Sequence, residues 1–253
     1  MGSMMKNGYG HNFSKDRHQK TVYSARTVLS IIIDALPEVH SAIDFSCGVG
    51  TWLSVLKEKG VREIHGIDGP WVEQDLLEIP RQDFRQVNFE ERVYLDKKYD
   101  LAITLEVAEH LSDKTAIPFV ENLVAASDFI LFSAAIPFQG GNGHINEQWP
   151  DYWADLFNES GYVALDFVRR KIWNDKQIPT WYRQNILMFV KKEQMQRVKL
   201  SGLDECDNHL PISLVHPDIY LSKVYRTSSV KGSWELFRQA ATKWIKKKIS
   251  KSS

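Results

Sequence analysis

The stretch Ala42-Ile43-Asp44-Phe45-Ser46-Cys47-Gly48-Val49-Gly50-Thr51 decides the architecture. Its first half is a short apolar run, interrupted by one acid at Asp44. Its second half sets two glycines ahead of an apolar-periodic segment that opens at Thr51. Glycines between a buried strand and a helix let a ligand come close to bare main chain. A nucleoside-bearing molecule is the natural occupant. A dinucleotide site would need a third glycine three residues after the second, to press the helix onto the strand beneath a pyrophosphate. Leu53 stands there instead. By itself the pattern also describes a plain tight turn between strand and helix.

Outward from this loop, short apolar runs alternate with helical spacing, the signature of βαβ units and a mainly parallel sheet. The runs predict strands at 42–46, 63–67, 84–88, 100–105 and 128–134, then at 162–168 and 185–190. Helical spacing predicts helices over 22–36, 51–59, 72–79, 115–126 and 150–159, the last capped by Gly161. Residues 169–184 are too few for a helical crossover with its loops. The last two strands are therefore expected to be an antiparallel pair joined by an aromatic loop.

Length and composition narrow the function. A chain of 253 residues is long enough for one α/β domain with a sizeable core. Lys+Arg and Asp+Glu are equal at 32 each, so no chain-wide basic field exists to hold a nucleic-acid backbone. Cys47 and Cys206 are too few for a disulfide framework or a four-cysteine zinc site, and they suit a reducing compartment. No apolar run reaches the roughly 20 residues of a membrane span. A cytoplasmic protein is expected, and Met1-Gly2-Ser3-Met4-Met5 reads as an expression scar.

A second acid, Asp68, ends the following run Glu63-Ile64-His65-Gly66-Ile67-Asp68, ahead of Gly69. A carboxylate there can accept both hydroxyls of a ribose, although an acid before a glycine also suits a turn. With Ile43-Asp44-Phe45-Ser46-Cys47-Gly48-Val49-Gly50 and Leu105-Glu106-Val107-Ala108-Glu109-His110-Leu111, the chain resembles the class I S-adenosylmethionine-dependent methyltransferases over about residues 20–190. The resemblance implies a Rossmann-like α/β fold: a seven-stranded, mainly parallel sheet with an antiparallel last strand, here followed by a C-terminal helical extension. It implies S-adenosylmethionine as cofactor, with S-adenosylhomocysteine as product. It also implies cofactor contacts from Asp44, Gly48 and Gly50, from Asp68 to the ribose, from Asn88 and Phe89 beside adenine, and from Glu106 near the methionyl part. Asn88 stands where many relatives carry aspartate, and its amide oxygen can accept the same bond. A sulfonium cation without phosphate asks for carboxylates and main chain rather than a phosphate cradle. The absent third glycine fits that need.

Methyl transfer to a hydroxyl needs alignment first and a base second. His144, in the glycine-rich run Gly140-Gly141-Asn142-Gly143-His144, is the foremost base on sequence grounds; His110 is the second, with packing as its plainer reading. Glu147 suits orienting His144 or taking a hydroxyl itself. A divalent metal among Glu106, Glu109, His110, His144 and Glu147 is chemically conceivable. No tight ligand spacing demands one, so none is expected. Trp149, Trp181, Tyr182 and Arg183 are the expected substrate contacts, with Trp153 assigned to the core. The strings around Trp149 and Trp181 resemble those of bacterial methyltransferases associated with surface polysaccharide biosynthesis. That closer resemblance implies a sugar or glycan acceptor and no nucleic acid. The alternatives are another small metabolite, RNA, or a non-catalytic binding subunit.

Residues 1–20 are expected to be a flexible lead, 21–191 the methyltransferase domain, 192–231 an extended wrap or linker, and 232–253 a basic amphipathic helix. Residues 231–253 carry seven Lys/Arg and one acid. Such a helix suits docking on its own domain, an acidic partner, or a peripheral contact with an anionic membrane, which would place the protein at its inner face.

Overall fold

The computed structural model describes residues 11–89, 91–199 and 211–249. Cys206 lies outside the described residues, as do 200–210 of the expected wrap. The chain divides into two units, Met1–Ser213 and Leu214–Ser253.

The first unit holds the sheet. Its elements are α1 (His11–Ala35), β1 (Ser41–Phe45), α2 (Thr51–Glu58), β2 (Glu63–Asp68), β3 (Phe84–Gln86), β4 (Leu101–Leu105), α3 (Ala116–Ala126) and β5 (Phe129–Ser133). They continue as α4 (Pro150–Glu159), β6 (Tyr162–Leu165), α5 (Phe167–Ile172), α6 (Thr180–Asn185) and β7 (Leu187–Lys191). The strand order is β3-β2-β1-β4-β5-β7-β6. β1 pairs in parallel with β2 and β4, β2 with β3, and β4 with β5. β7 runs against both its neighbours. The seven-stranded sheet with one reversed strand is the Rossmann-like methyltransferase fold that the sequence implied.

Strand period sorts the core into two layers. Leu101, Ile103, Leu131, Met188 and Val190 face one cluster, which α1 closes with Ala25, Val28, Leu29 and Ile32 at helical steps. The alternate residues Ile43, Phe45, Ala102, Ile130, Phe132, Leu187 and Phe189 face the other, beneath Phe119 and Leu123 of α3 and Trp153 and Phe157 of α4. Both faces are covered, so these strands read as continuous apolar runs.

Three expectations need correction. Residues 72–79 do not form the predicted helix: only a 3-10 turn, Gln74–Leu76, forms between Pro70 and Pro80. The Glu78 N–H donates to the Val49 carbonyl at 2.8 Å, and Ile79 packs against Gly50, so the segment is drawn across the glycine loop. Residues 169–184 are not a plain loop, because α5 and α6 bury Phe167, Val168, Ile172 and Ile186 against the sheet around them. Residues 192–231 are not uniformly extended either. A 3-10 turn covers Lys192–Arg197, and α7 (Pro217–Ser228) opens the second unit. Pro217 sits at the first helical position, where no N–H is required. His216 caps the helix by accepting from the Asp218 N–H at 3.1 Å. The last helix, α8 (Val230–Ile249), includes the stacked pair Trp234 and Phe237, with centroids 5.8 Å apart.

Candidate active site

Parallel pairing brings the carboxyl ends of β1, β2, β4 and β5 to one edge of the sheet. The strand order reverses between β1 and β4, the place on an open α/β sheet where ligands bind.

On the β1–β2 side, the glycine loop is wound tightly. Ser46, Gly48 and Gly50 have φ of 67°, 56° and 87°, and Gly50 is the N-cap of α2. A Cβ at Gly50 would lie 2.9 Å from Ile79, whereas one at Gly48 would meet nothing within 4 Å. Main chain at Gly48 therefore faces open space. Asp68 ties the loop to β2. Its carboxylate accepts N–H bonds from Gly48 at 2.7 Å and Gly69 at 2.6 Å, and one from Ser46 Oγ at 3.3 Å. The Trp71 indole is laid on Gly69, where a Cβ would stand 2.2 Å from the ring. Burial raises the Asp68 pKa against these donors. Asp44, beneath the loop, is held well above the usual carboxylate range by burial and then by the charge of Asp68. Burial, Asp44 and Asp68 together push the Cys47 thiol far up, so it is an inert packing group.

The expected adenine contacts are only partly available. Asn88 is exposed, and its amide donates to Glu91 at 2.9 Å. The Phe89 ring belongs to the core, tilted on Phe45 at 6.3 Å and edge-on to Phe119 at 6.0 Å. The Phe89 ring is thus committed to packing, which leaves its main chain for any contact with adenine.

Past β4, Glu106 turns at φ 58°, a left-handed conformation costly for a residue other than glycine. The turn is held by its N–H, which bonds the Ser133 carbonyl at 2.9 Å. Its carboxylate accepts from Asn185 at 3.0 Å and Gln139 at 3.3 Å. Gln139 in turn accepts from Asn185 and Gln184, each at 3.0 Å. Sequence reasoning missed this amide web, although Gln184 and Asn185 lie inside one of the strings that carried the closer resemblance.

His144 and Glu147 come together. His144 Nδ1 is 2.9 Å from Glu147 Oε1, and the same carboxylate accepts from the Phe138 and Gly140 N–H groups at 2.9 and 2.6 Å. Glu147 thus shapes the loop and fixes the imidazole, leaving Nε2 as the free lone pair. His110 meets His144 edge to face with centroids 4.8 Å apart, and its Nδ1 lies 3.3 Å from the Gly143 carbonyl. Burial, then the nearby His144, lowers the His110 pKa. Glu109, from the same short turn, is wholly buried, and burial with Glu106 and Glu147 pushes it up to about 9.

Of the expected substrate contacts, Trp149 and Trp181 are 41% and 38% exposed. Tyr182 is half-buried, edge-on to Trp52 at 5.6 Å. Arg183 is a correction. It is buried, and its guanidinium donates to the carbonyls of Ile178 and Trp173 and to Thr180, at 2.9 to 3.0 Å. It braces the 173–180 turn and does not face a ligand.

Residues 16–132 match the family model described as a methyltransferase domain. That segment holds the glycine loop and the first four strands of the sheet, and part of the fifth. Among solved structures, this domain is similar to magnesium protoporphyrin IX methyltransferase from Synechocystis with bound S-adenosylhomocysteine. The likeness is at 19% identity and TM-score 0.50, over 74% of this chain and 91% of that one. It is also similar to DesVI of Streptomyces venezuelae, at 12% identity and TM-score 0.54, over 73% of this chain and all of the other. At these identities the likeness speaks for the fold. No curated protein matches. The family match ends at Phe132, before the His144 loop. Among the described residues, no helix is long and apolar enough to cross a membrane.

Proposed function

We propose that this chain transfers the methyl group of S-adenosylmethionine to a hydroxyl of a sugar or glycan. When bound, that cofactor supplies an electrophilic methyl and leaves as the neutral thioether. Its ribose hydroxyls suit Asp68, and the open main chain at Gly48 suits close approach of the nucleoside side. Glu106, positioned by Asn185 and Gln139, offers negative charge toward the cationic end.

The observation that carries the reading is the His144–Glu147 pair at 2.9 Å on the loop after β5. It fixes one imidazole nitrogen and presents the other as a proton acceptor at the carboxyl edge of the sheet. Alignment of the two reactants can remove about 7–11 kcal/mol of barrier, and a positioned base adds about 10²–10⁴-fold. The acceptor class rests on Trp149 and Trp181, exposed ring faces of the kind that stack on the apolar face of a sugar. The balanced net charge argues against a nucleic-acid acceptor.

Transfer of tritium from the methyl-labelled cofactor to a panel of nucleotide-sugars and oligosaccharides tests the reading, with single-stranded RNA alongside. Label in the saccharide pool is the expected result. Label in RNA alone overturns the acceptor class, and absence of any calorimetric heat with S-adenosylmethionine and S-adenosylhomocysteine overturns the donor.

A further inference from the structure

Glu109 is left over by the packing. Among the described residues neither of its carboxylate oxygens has a hydrogen-bond partner, although the residue is wholly buried. The N–H groups of Glu109 itself and of Ala135 ease its charge without reaching hydrogen-bond geometry. Folded proteins settle such a group by pairing it or by giving it a cation. The Glu109 main chain is fully committed, since its carbonyl accepts the N–H groups of Ile145 and Asn146 at 2.9 and 3.0 Å. Those bonds fasten the His144 segment beside the acid.

His144 Nε2 lies 4.0 Å from Glu109 Oε1, and one ligating atom each of Glu109, His110 and His144 falls within 4.8 Å of the others. Each imidazole is also oriented from behind: His110 Nδ1 by the Gly143 carbonyl and His144 Nδ1 by Glu147. A histidine that binds a metal through one nitrogen commonly has the other held by a carbonyl or a carboxylate in this way. The sequence argued against an ion because 34 residues separate His110 from His144. The fold removes that separation.

We propose that Glu109, His110 and His144 bind a divalent transition cation at the acceptor end of the site. Two imidazoles and one carboxylate favour an ion such as Mn²⁺, Co²⁺ or Zn²⁺ over Mg²⁺ or Ca²⁺. Three protein ligands leave positions open, the arrangement of a catalytic rather than a structural ion. Ligands about 2.1 Å from an ion stand about 3.0–3.5 Å apart, so the cluster closes by on the order of 1 Å when loaded. Gly140 and Gly143, with φ of 69° and 79°, flank His144 on a loop able to make that adjustment. The role of the ion rests on the O-methylation reading, and once bound the ion takes the place of His144 as the base: with Nε2 on the ion, the ion makes the acceptor hydroxyl more acidic. The proton passes to water as the oxygen–methyl bond forms and the methyl–sulfur bond breaks.

The test is titration of EDTA-dialysed protein with Co²⁺ alone, followed by calorimetry and by the visible absorption of the bound ion. One equivalent is expected to bind and to raise the thermal midpoint. Glu109→Gln, His110→Ala and His144→Ala are each expected to weaken binding by at least about tenfold while affinity for S-adenosylhomocysteine persists. Glu109→Gln keeps the side-chain shape, so its loss of cobalt reports a ligand and not a failed fold. Protein that binds S-adenosylhomocysteine but no cobalt overturns the ion and leaves His144 as the base. Cobalt binding that all three variants retain also overturns it. Cobalt bound at these residues without methyl transfer to saccharides keeps the ion and removes the acceptor reading.

Discussion

The two ends of the site treat their acids in opposite ways. At the glycine loop, Asp68 accepts from Gly48, Gly69 and Ser46, so its oxygens are well supplied before any ligand arrives. Across the β1–β4 boundary, Glu109 is as deeply buried, and its carboxylate has no hydrogen-bond partner among the described residues. The first arrangement holds a loop in a fixed shape for a donor. The second keeps unspent ligating capacity beside two imidazoles. The glycine loop also lies inside the family match, whereas the His144 loop lies beyond it.

Substitutions break that contrast most sharply when each end is altered alone. His144→Ala is expected to lower kcat by about 10²-fold or more while leaving S-adenosylhomocysteine affinity unchanged, read by steady-state kinetics and calorimetry. Asp68→Asn is expected to do the reverse. The dissociation constant for the donor rises about 10–100-fold, and turnover at saturating donor stays within a few-fold. If either variant moved both quantities equally, the two ends would not be separable. Gly50→Ala probes the loop's shape: a φ of 87° and a 2.9 Å approach to Ile79 are expected to cost about 1–3 kcal/mol, measured by thermal unfolding.

The smallest expected effect concerns Asp44. Its folded pKa is raised, so it stays protonated where the unfolded chain has already ionised at about 3.9. Its contribution to stability is therefore complete below that pH and is lost as pH rises toward the folded value. Asp44→Asn removes the penalty. The thermal midpoint of the variant relative to the unaltered protein is expected to climb between pH 5 and pH 8, and a flat difference would show that Asp44 ionises freely.

Much of the platform was legible. The runs around Ile43, Ile103 and Leu131 predicted strands because both faces of a parallel sheet are covered, and Gly48 with Gly50 marked the turn that opens α2. The acids at 44, 68 and 106 were legible as strand-end charges. Arg183 was misread because its sequence neighbours, Trp181 and Tyr182, suggest a binding surface, whereas its hydrogen bonds go to carbonyls that only folding brings near. Trp71 gave no signal, since an exposed tryptophan after a strand says nothing of the Gly69 surface it covers. The amide web of Gln139, Gln184 and Asn185 was equally silent, because it joins segments 45 residues apart through bonds with no periodicity.

The sequence by itself determined the strand alternation, the glycine loop and the acids that end its strands, because hydrophobic period and backbone permissiveness are local properties. Only the tertiary structure decided which acids are satisfied. Whether a buried carboxylate finds a donor depends on distances between segments far apart in the chain, and Asp68 and Glu109 differ in nothing else that a reader of the sequence would notice.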